Sequence, residues 1–77
     1  MDWIKDNNHL TKTFSFENQT ELARFFLKVA QLADEMNHHP DSTIYSCNQL
    51  ELRLTTHDKG EITELDNNLA KQIDELQ

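Results

Sequence analysis

The chain holds one cysteine, one proline and one glycine in 77 residues. A single thiol, Cys47, excludes an internal disulfide framework. Nothing in the surrounding pattern activates it as a nucleophile, so it reads as a small strand side chain. A lone Gly60 excludes a glycine-rich phosphate loop and the dinucleotide fingerprint, which both need glycines in series. Basic residues are scarce: 7 Lys and Arg stand against 14 Asp and Glu, for a formal net charge of −7. No basic patch interleaved with aromatics is present, so direct binding to nucleic acid is not expected. The acidity itself reads as a solubility feature. No run approaches the ~20 apolar residues of a membrane span, and no basic apolar leader precedes the fold. The expectation is therefore no membrane partner and a cytoplasmic location. The triplet Asn18-Gln19-Thr20 has the form of a glycosylation acceptor but lacks a secretion signal to give it meaning.

What the chain does contain is a short, regular alternation of strand and helix patterns. Residues 1–77 make a single domain. A chain of this size buries only about 60–65% of its unfolded surface, so self-association as a dimer or tetramer is expected. Trp3 and Ile4 precede an Asn7-Asn8 turn and suggest a short edge strand. From Leu10 to Phe16 the apolar residues Leu10, Phe14 and Phe16 share one parity, with Lys12 as the exception; Thr11, Thr13 and Ser15 share the other. Asn18, with Glu21 three residues on, opens a helix of about 18 residues. Leu22, Phe25, Phe26, Val29, Ala30, Leu32, Ala33 and Met36 form its apolar stripe.

After Pro40, Asp41 to Thr43 reads as a polar connection and Ile44 to Cys47 as a brief strand. Asn48-Gln49 follows as a tight turn. Leu50 to His57 is the clearest strand: Leu50, Leu52, Leu54 and Thr56 face one way, and Glu51, Arg53, Thr55 and His57 the other. Asp58-Lys59-Gly60 turns the chain. Thr63 caps a second helix with Asp66 at its third position, and Leu65, Leu69, Ala70, Ile73 and Leu76 form the stripe. The order β-β-α-β-β-α predicts an α+β fold, with a four-stranded antiparallel sheet covered on one face by two helices.

The chemistry-bearing residues cluster at one corner of this pattern. The first helix ends in Asp34-Glu35-Met36-Asn37-His38-His39, and Pro40 cannot continue it. Two adjacent imidazoles at a helix end serve either as a polar exit or as acid–base groups that titrate near neutral pH. His57 ends its strand on the side away from the leucines, which argues against a core histidine. If the last helical turn continues, Asp34 lies four residues before His38 and beside its imidazole. Adjacent histidines do not share the face that builds the familiar helical zinc pair, so no metal is expected. Proton transfer by imidazoles, or a binding module without catalysis, remains.

The combination of His38-His39-Pro40, Tyr45, Thr56-His57-Asp58, Gly60, Thr63, Asp66 and Leu69-Ala70 resembles the pterin-4a-carbinolamine dehydratase family. Phe25-Phe26, Val29-Ala30, Ala33, Trp3 and Phe14-Ser15-Phe16 extend the resemblance over nearly the whole chain. It implies removal of water from a 4a-hydroxytetrahydropterin to give the quinonoid dihydropterin, a step in tetrahydrobiopterin recycling. It implies no metal and no cofactor, with the pterin as substrate, and dimers or dimers of dimers. His38, His39 and His57 match the family's active-site histidines; Asp34, Asp58, Asp66 and Tyr45 are implied around the substrate. Family members usually carry a helix before the tryptophan, a second tryptophan where Ser42 stands here, and paired glycines where Gly60-Glu61 stand. A related fold with weak or absent turnover, acting as an oligomeric scaffold or binding protein, is the alternative reading.

Overall fold

The computed structural model describes residues 2–77. Strands β1 (Ile4–Asp6) and β2 (His9–Ser15) lead into helix α1 (Gln19–Met36). Strands β3 (Asp41–Tyr45) and β4 (Gln49–Leu54) lead into helix α2 (Glu64–Glu75). All pairings are antiparallel, and the strands lie in the order β1-β2-β4-β3. Each half is thus a hairpin followed by a helix, and the two inner strands join the halves. The predicted α+β architecture is the one observed.

Local chemistry accounts for the connections. Asn7 and Asn8 both have positive φ (49° and 66°) and close a two-residue hairpin, the conformation asparagine tolerates best after glycine. The Asn18 side chain accepts from the Glu21 backbone N–H at 2.9 Å and opens α1. Thr63 opens α2 with a full capping box whose acid is Asp66.

Strand parity sets the core. Leu50, Leu52 and Leu54 of β4 are fully buried with Phe14 of β2, against Leu22, Phe25 and Val29 of α1 and Leu69, Ala70 and Ile73 of α2. Phe14 and Phe16 flank Phe25 at ring-centroid distances of 5.0 and 5.3 Å. Lys12 shares this inward parity, and the fold explains the exception. Its side chain is 8% exposed, its ammonium lies 2.8 Å from Asp74 of α2 and sits 5.0 Å from the Phe14 ring centroid. The Trp3 indole N–H donates to the same carboxylate at 3.1 Å, so Asp74 ties the N-terminal segment and β2 to α2.

Two strands differ from the sequence reading. β3 begins at Asp41, directly after Pro40, and stops at Tyr45; Ser46, Cys47 and Asn48 form the turn, with φ of 51° and 57° at the first two. Cys47 is therefore an exposed turn residue. Every residue of β3 is exposed, and a strand with neither face buried carries no alternation to reveal it. The ladder of β4 ends at Leu54 rather than His57. Thr55 and Thr56 are both buried, which consecutive residues of a regular strand covered on one face cannot be. The chain bends there: the Thr55 hydroxyl donates to the Asn8 carbonyl at 2.8 Å, and Thr56 bridges to Glu61.

Candidate active site

The end of α1 creates the site. Asn37 takes the left-handed conformation (φ 50°). The His38 N–H then donates back to the Ala33 carbonyl at 3.1 Å, and the Asn37 N–H to the Asp34 carbonyl at 3.2 Å. This is the paired closure of a Schellman turn. It swings His38 and His39 off the helix axis just before Pro40 stops the helix. The expectation that Asp34 would sit beside His38 is corrected here. With the last turn broken at Asn37, it is His39 whose Nε2 lies 2.7 Å from Asp34 Oδ1. Both partners of that pair are exposed.

His38 turns inward instead. Its side chain is 11% exposed, and Nε2 lies 2.6 Å from Oδ1 of Asp66, which has no exposed surface. The other Asp66 oxygen accepts from the Thr63 backbone N–H at 2.9 Å and from the Thr56 hydroxyl at 2.8 Å. Thr56 spends its one proton on the carboxylate, so the Thr63 hydroxyl, 2.6 Å away, donates to Thr56. The Thr63 oxygen in turn accepts from the Leu65 N–H at 3.3 Å. No buried side-chain polar atom among the described residues lacks a partner.

Burial pushes the Asp66 carboxyl pKa up, but the hydrogen bonds from His38, the Thr63 backbone and Thr56 outweigh it and hold the group below the ordinary aspartate value. An ionised carboxylate only accepts, so His38 Nε2 is the donor, and in the neutral ring Nδ1 is left as a base.

His57 follows Thr56 into a turn closed by the Gly60 N–H donating to the Thr56 carbonyl at 2.8 Å. Gly60 has φ of 67°, a conformation glycine adopts without strain. The His57 side chain is exposed and makes no hydrogen bond among the described residues.

All three imidazoles line one open cleft of about 540 Å³, together with Asn37, Pro40, Asp41, Thr56, Asp58 and Leu65. Of the other site residues expected from sequence, Asp58 lines this cleft. Asp34 reaches it through His39, and Asp66 lies beneath His38. Tyr45 stands at the opposite end of β3 from Asp41, about 13 Å along an extended strand, and does not line it.

Helical spacing places Leu65 in the apolar stripe of α2. It is instead 46% exposed in the cleft, because Asp66 occupies the inward position of the first turn of α2. Thr56 stands in the Thr56-His57-Asp58 motif and on the leucine face of its strand, but its hydrogen bond to Asp66 is not legible from either. Among the described residues no three His, Cys, Asp or Glu side chains converge on a point suited to a metal ion.

A family model described as pterin 4 alpha carbinolamine dehydratase matches residues 1–76. A Sulfolobus acidocaldarius protein provisionally named pterin-4-alpha-carbinolamine dehydratase is 47% identical over 75 residues, covering 97% of this chain and 81% of the relative. A Sulfurisphaera tokodaii protein with the same provisional name is 51% identical over 74 residues, covering 96% and 78%. Two solved structures share the fold. The transcriptional coactivator/pterin dehydratase from Brucella melitensis superposes with a TM-score of 0.87 at 24% identity, covering 97% of this chain and 79% of that one. A pterin dehydratase-like protein identified as a RuBisCO assembly factor in the alpha-carboxysome superposes with a TM-score of 0.80 at 20% identity, covering 99% and 89%.

Proposed function

Because this chain belongs to the pterin-4a-carbinolamine dehydratase family, we propose that it dehydrates a 4a-hydroxytetrahydropterin to the quinonoid dihydropterin by histidine acid–base catalysis. The observation that carries this reading is the convergence of His38, His39 and His57 on one cleft, two of them backed by carboxylates. The reaction breaks the C4a–O bond and removes the proton on N5, forming a C4a=N5 double bond and releasing water. No electrons are exchanged with any other reactant. The leaving hydroxide needs a proton, and N5–H needs a base. His39 and His57 are the exposed imidazoles and are assigned to these two transfers. His38, largely enclosed and held by Asp66, orients the substrate beside them. A positioned side-chain acid or base is typically worth about 10²–10⁴ in rate.

The test is the decay of a synthetic carbinolamine followed by stopped-flow absorbance. Wild type should accelerate it, and His39→Ala and His57→Ala should each lower kcat by about 10²-fold. A wild-type protein that leaves the spontaneous rate unchanged rejects the enzyme and leaves the scaffold reading.

Self-association belongs to the same proposal. All of β3 is exposed at the sheet edge, with Ile44 49% and Tyr45 47% exposed. An open strand of this kind pairs readily with a second copy. Sedimentation at micromolar concentration should give at least twice the 9.1 kDa chain mass, and a sharp monomer would refute it. A cytoplasmic location is also proposed, supported by the exposed free thiol of Cys47. Among the described residues no helix is long and apolar enough to cross a membrane.

A further inference from the structure

The histidine cleft opens into a second groove of about 450 Å³, with which it shares Thr56, Asp58 and Leu65. From Leu65 the groove continues past Glu64 and Asn68, one turn apart on α2, and is also lined by Lys59. Leu65 is the joint between the two cavities. Helical periodicity would place it in the core, yet it is 46% exposed while its neighbour Asp66 is fully enclosed. A half-exposed leucine set in the common wall of two concave surfaces offers apolar area that a bound molecule can cover.

We infer that this groove is the subsite for the substituent at C6 of the pterin, that Leu65 is its apolar wall, and that it favours uncharged substituents. The inference rests on the dehydratase reading, and chemistry links the two. C6 is bonded directly to N5, the atom that loses its proton. A substituent on C6 therefore leaves the ring one bond from the histidines' work and needs an exit adjoining them. The second groove adjoins them through Thr56 and Asp58, on either side of His57. Its charged residues are Asp58 and Glu64 against Lys59, on a chain of net charge −7. A carboxylate-bearing tail meets net repulsion there, whereas hydroxyl groups can donate to the two acids and exchange hydrogen bonds with Asn68.

Three synthetic carbinolamines test this: one with a methyl group at C6, one with a dihydroxypropyl group, and one with a folate-type aminobenzoylglutamate tail. For wild type, KM should be lowest with the dihydroxypropyl substrate and highest with the folate-type one. Leu65→Asp should raise KM for the dihydroxypropyl substrate about tenfold. Because Leu65 also lines the histidine cleft, KM for the methyl substrate should rise as well, but by a factor at least about threefold smaller. Glu64→Lys, a surface change on α2 that keeps the test available should Leu65→Asp fold poorly, should lower KM for the folate-type substrate about three- to tenfold. Equal factors on all three substrates for both variants would overturn the subsite while leaving the dehydratase reading intact. Wild type inert toward all three would reject both.

Discussion

His38 and Asp66 are 28 residues apart in sequence, and their side chains meet with Nε2 2.6 Å from Oδ1. One residue leaves the end of α1 and the other sits in the first turn of α2, so a single hydrogen bond ties together the two helix termini that frame the cleft. Asp66 is at once the capping-box acid of α2 and the partner of an active-site candidate. Helix stability and imidazole orientation therefore depend on one carboxylate.

Removing that carboxylate should affect both. Asp66→Ala strands the His38 ring, the Thr63 N–H and the Thr56 hydroxyl in an enclosed space. It should cost about 3 kcal/mol, a large share of the stability of so small a domain. Asp66→Asn keeps the shape but can no longer accept from every donor, so the His38 tautomer is no longer fixed and kcat should fall about tenfold or more. Thr56→Val, nearly isosteric, deletes one donor and should cost about 1–2 kcal/mol. Urea unfolding measures the stabilities, and carbinolamine decay measures the rate. An Asp66→Ala protein as stable as wild type would show that the network carries no net stability.

The depressed pKa of Asp66 makes a signed prediction for acid unfolding. The ordinary value is 3.8 and the folded value is lower, so the folded state prefers the ionised form. The resulting stabilisation is fully present above the ordinary value and is lost as pH falls through the lower, folded one. The Asp66 contribution to the stability gap between wild type and Asp66→Asn should be fully present above the ordinary value of 3.8 and narrow as the pH falls below about 4. Denaturant midpoints of the two proteins across this range check it. A gap that widens toward acid would reverse the assigned direction.

A second carboxylate, Asp74, supports the opposite side of the domain. Asp74→Ala leaves the nearly buried Lys12 ammonium without its counter-charge and frees the Trp3 indole N–H. Since Asp74 is 40% exposed, the loss should be moderate, about 1–2 kcal/mol. Adding Lys12→Met, which supplies apolar volume at an inward strand position, should recover much of it. The double-mutant cycle should therefore show strong coupling. Independent, additive losses would mean that the pair carries no energetic weight.

These carboxylates also mark where the sequence was readable and where it was not. Asn18 with Glu21, and Thr63 with Asp66, announce helix starts because capping is decided within four residues. Leu50, Leu52 and Leu54 announce an inner strand because their alternation is a local consequence of burial on one face. β3 was largely hidden, since a strand exposed on both faces leaves no pattern. The partner of His38 was hidden for a different reason. A left-handed asparagine at position 37 breaks the last turn, so Asp34 meets His39 and leaves His38 to a residue brought in by tertiary packing. The helical spacing from Leu69 places Leu65 in the apolar stripe, but the inward place in that turn belongs to a charged residue whose burial only the assembled network makes tolerable. The three histidines themselves were legible as a set through the family resemblance, while their division into one enclosed and two exposed rings required the fold.

The last prediction concerns Ser42, which stands where the resembling family usually has tryptophan. Ser42 pairs with Leu52 in the ladder and so shares the helix-side face of the sheet, yet it is exposed and does not itself line the cleft. Its neighbours Pro40 and Asp41 do line it. An indole at position 42 is long enough to reach past Pro40 and add a flat apolar wall beside Pro40 and Leu65, the apolar residues that line the cleft among the described residues. Ser42→Trp should therefore lower KM for a carbinolamine several-fold with little change in kcat, since ring stacking strengthens ground-state and transition-state binding alike. Because the position is exposed, stability should change by less than about 0.5 kcal/mol. Quenching of the new indole's fluorescence on addition of a dihydropterin provides an independent readout of contact. Unchanged KM together with unquenched fluorescence would show that position 42 does not face the bound ring in this chain.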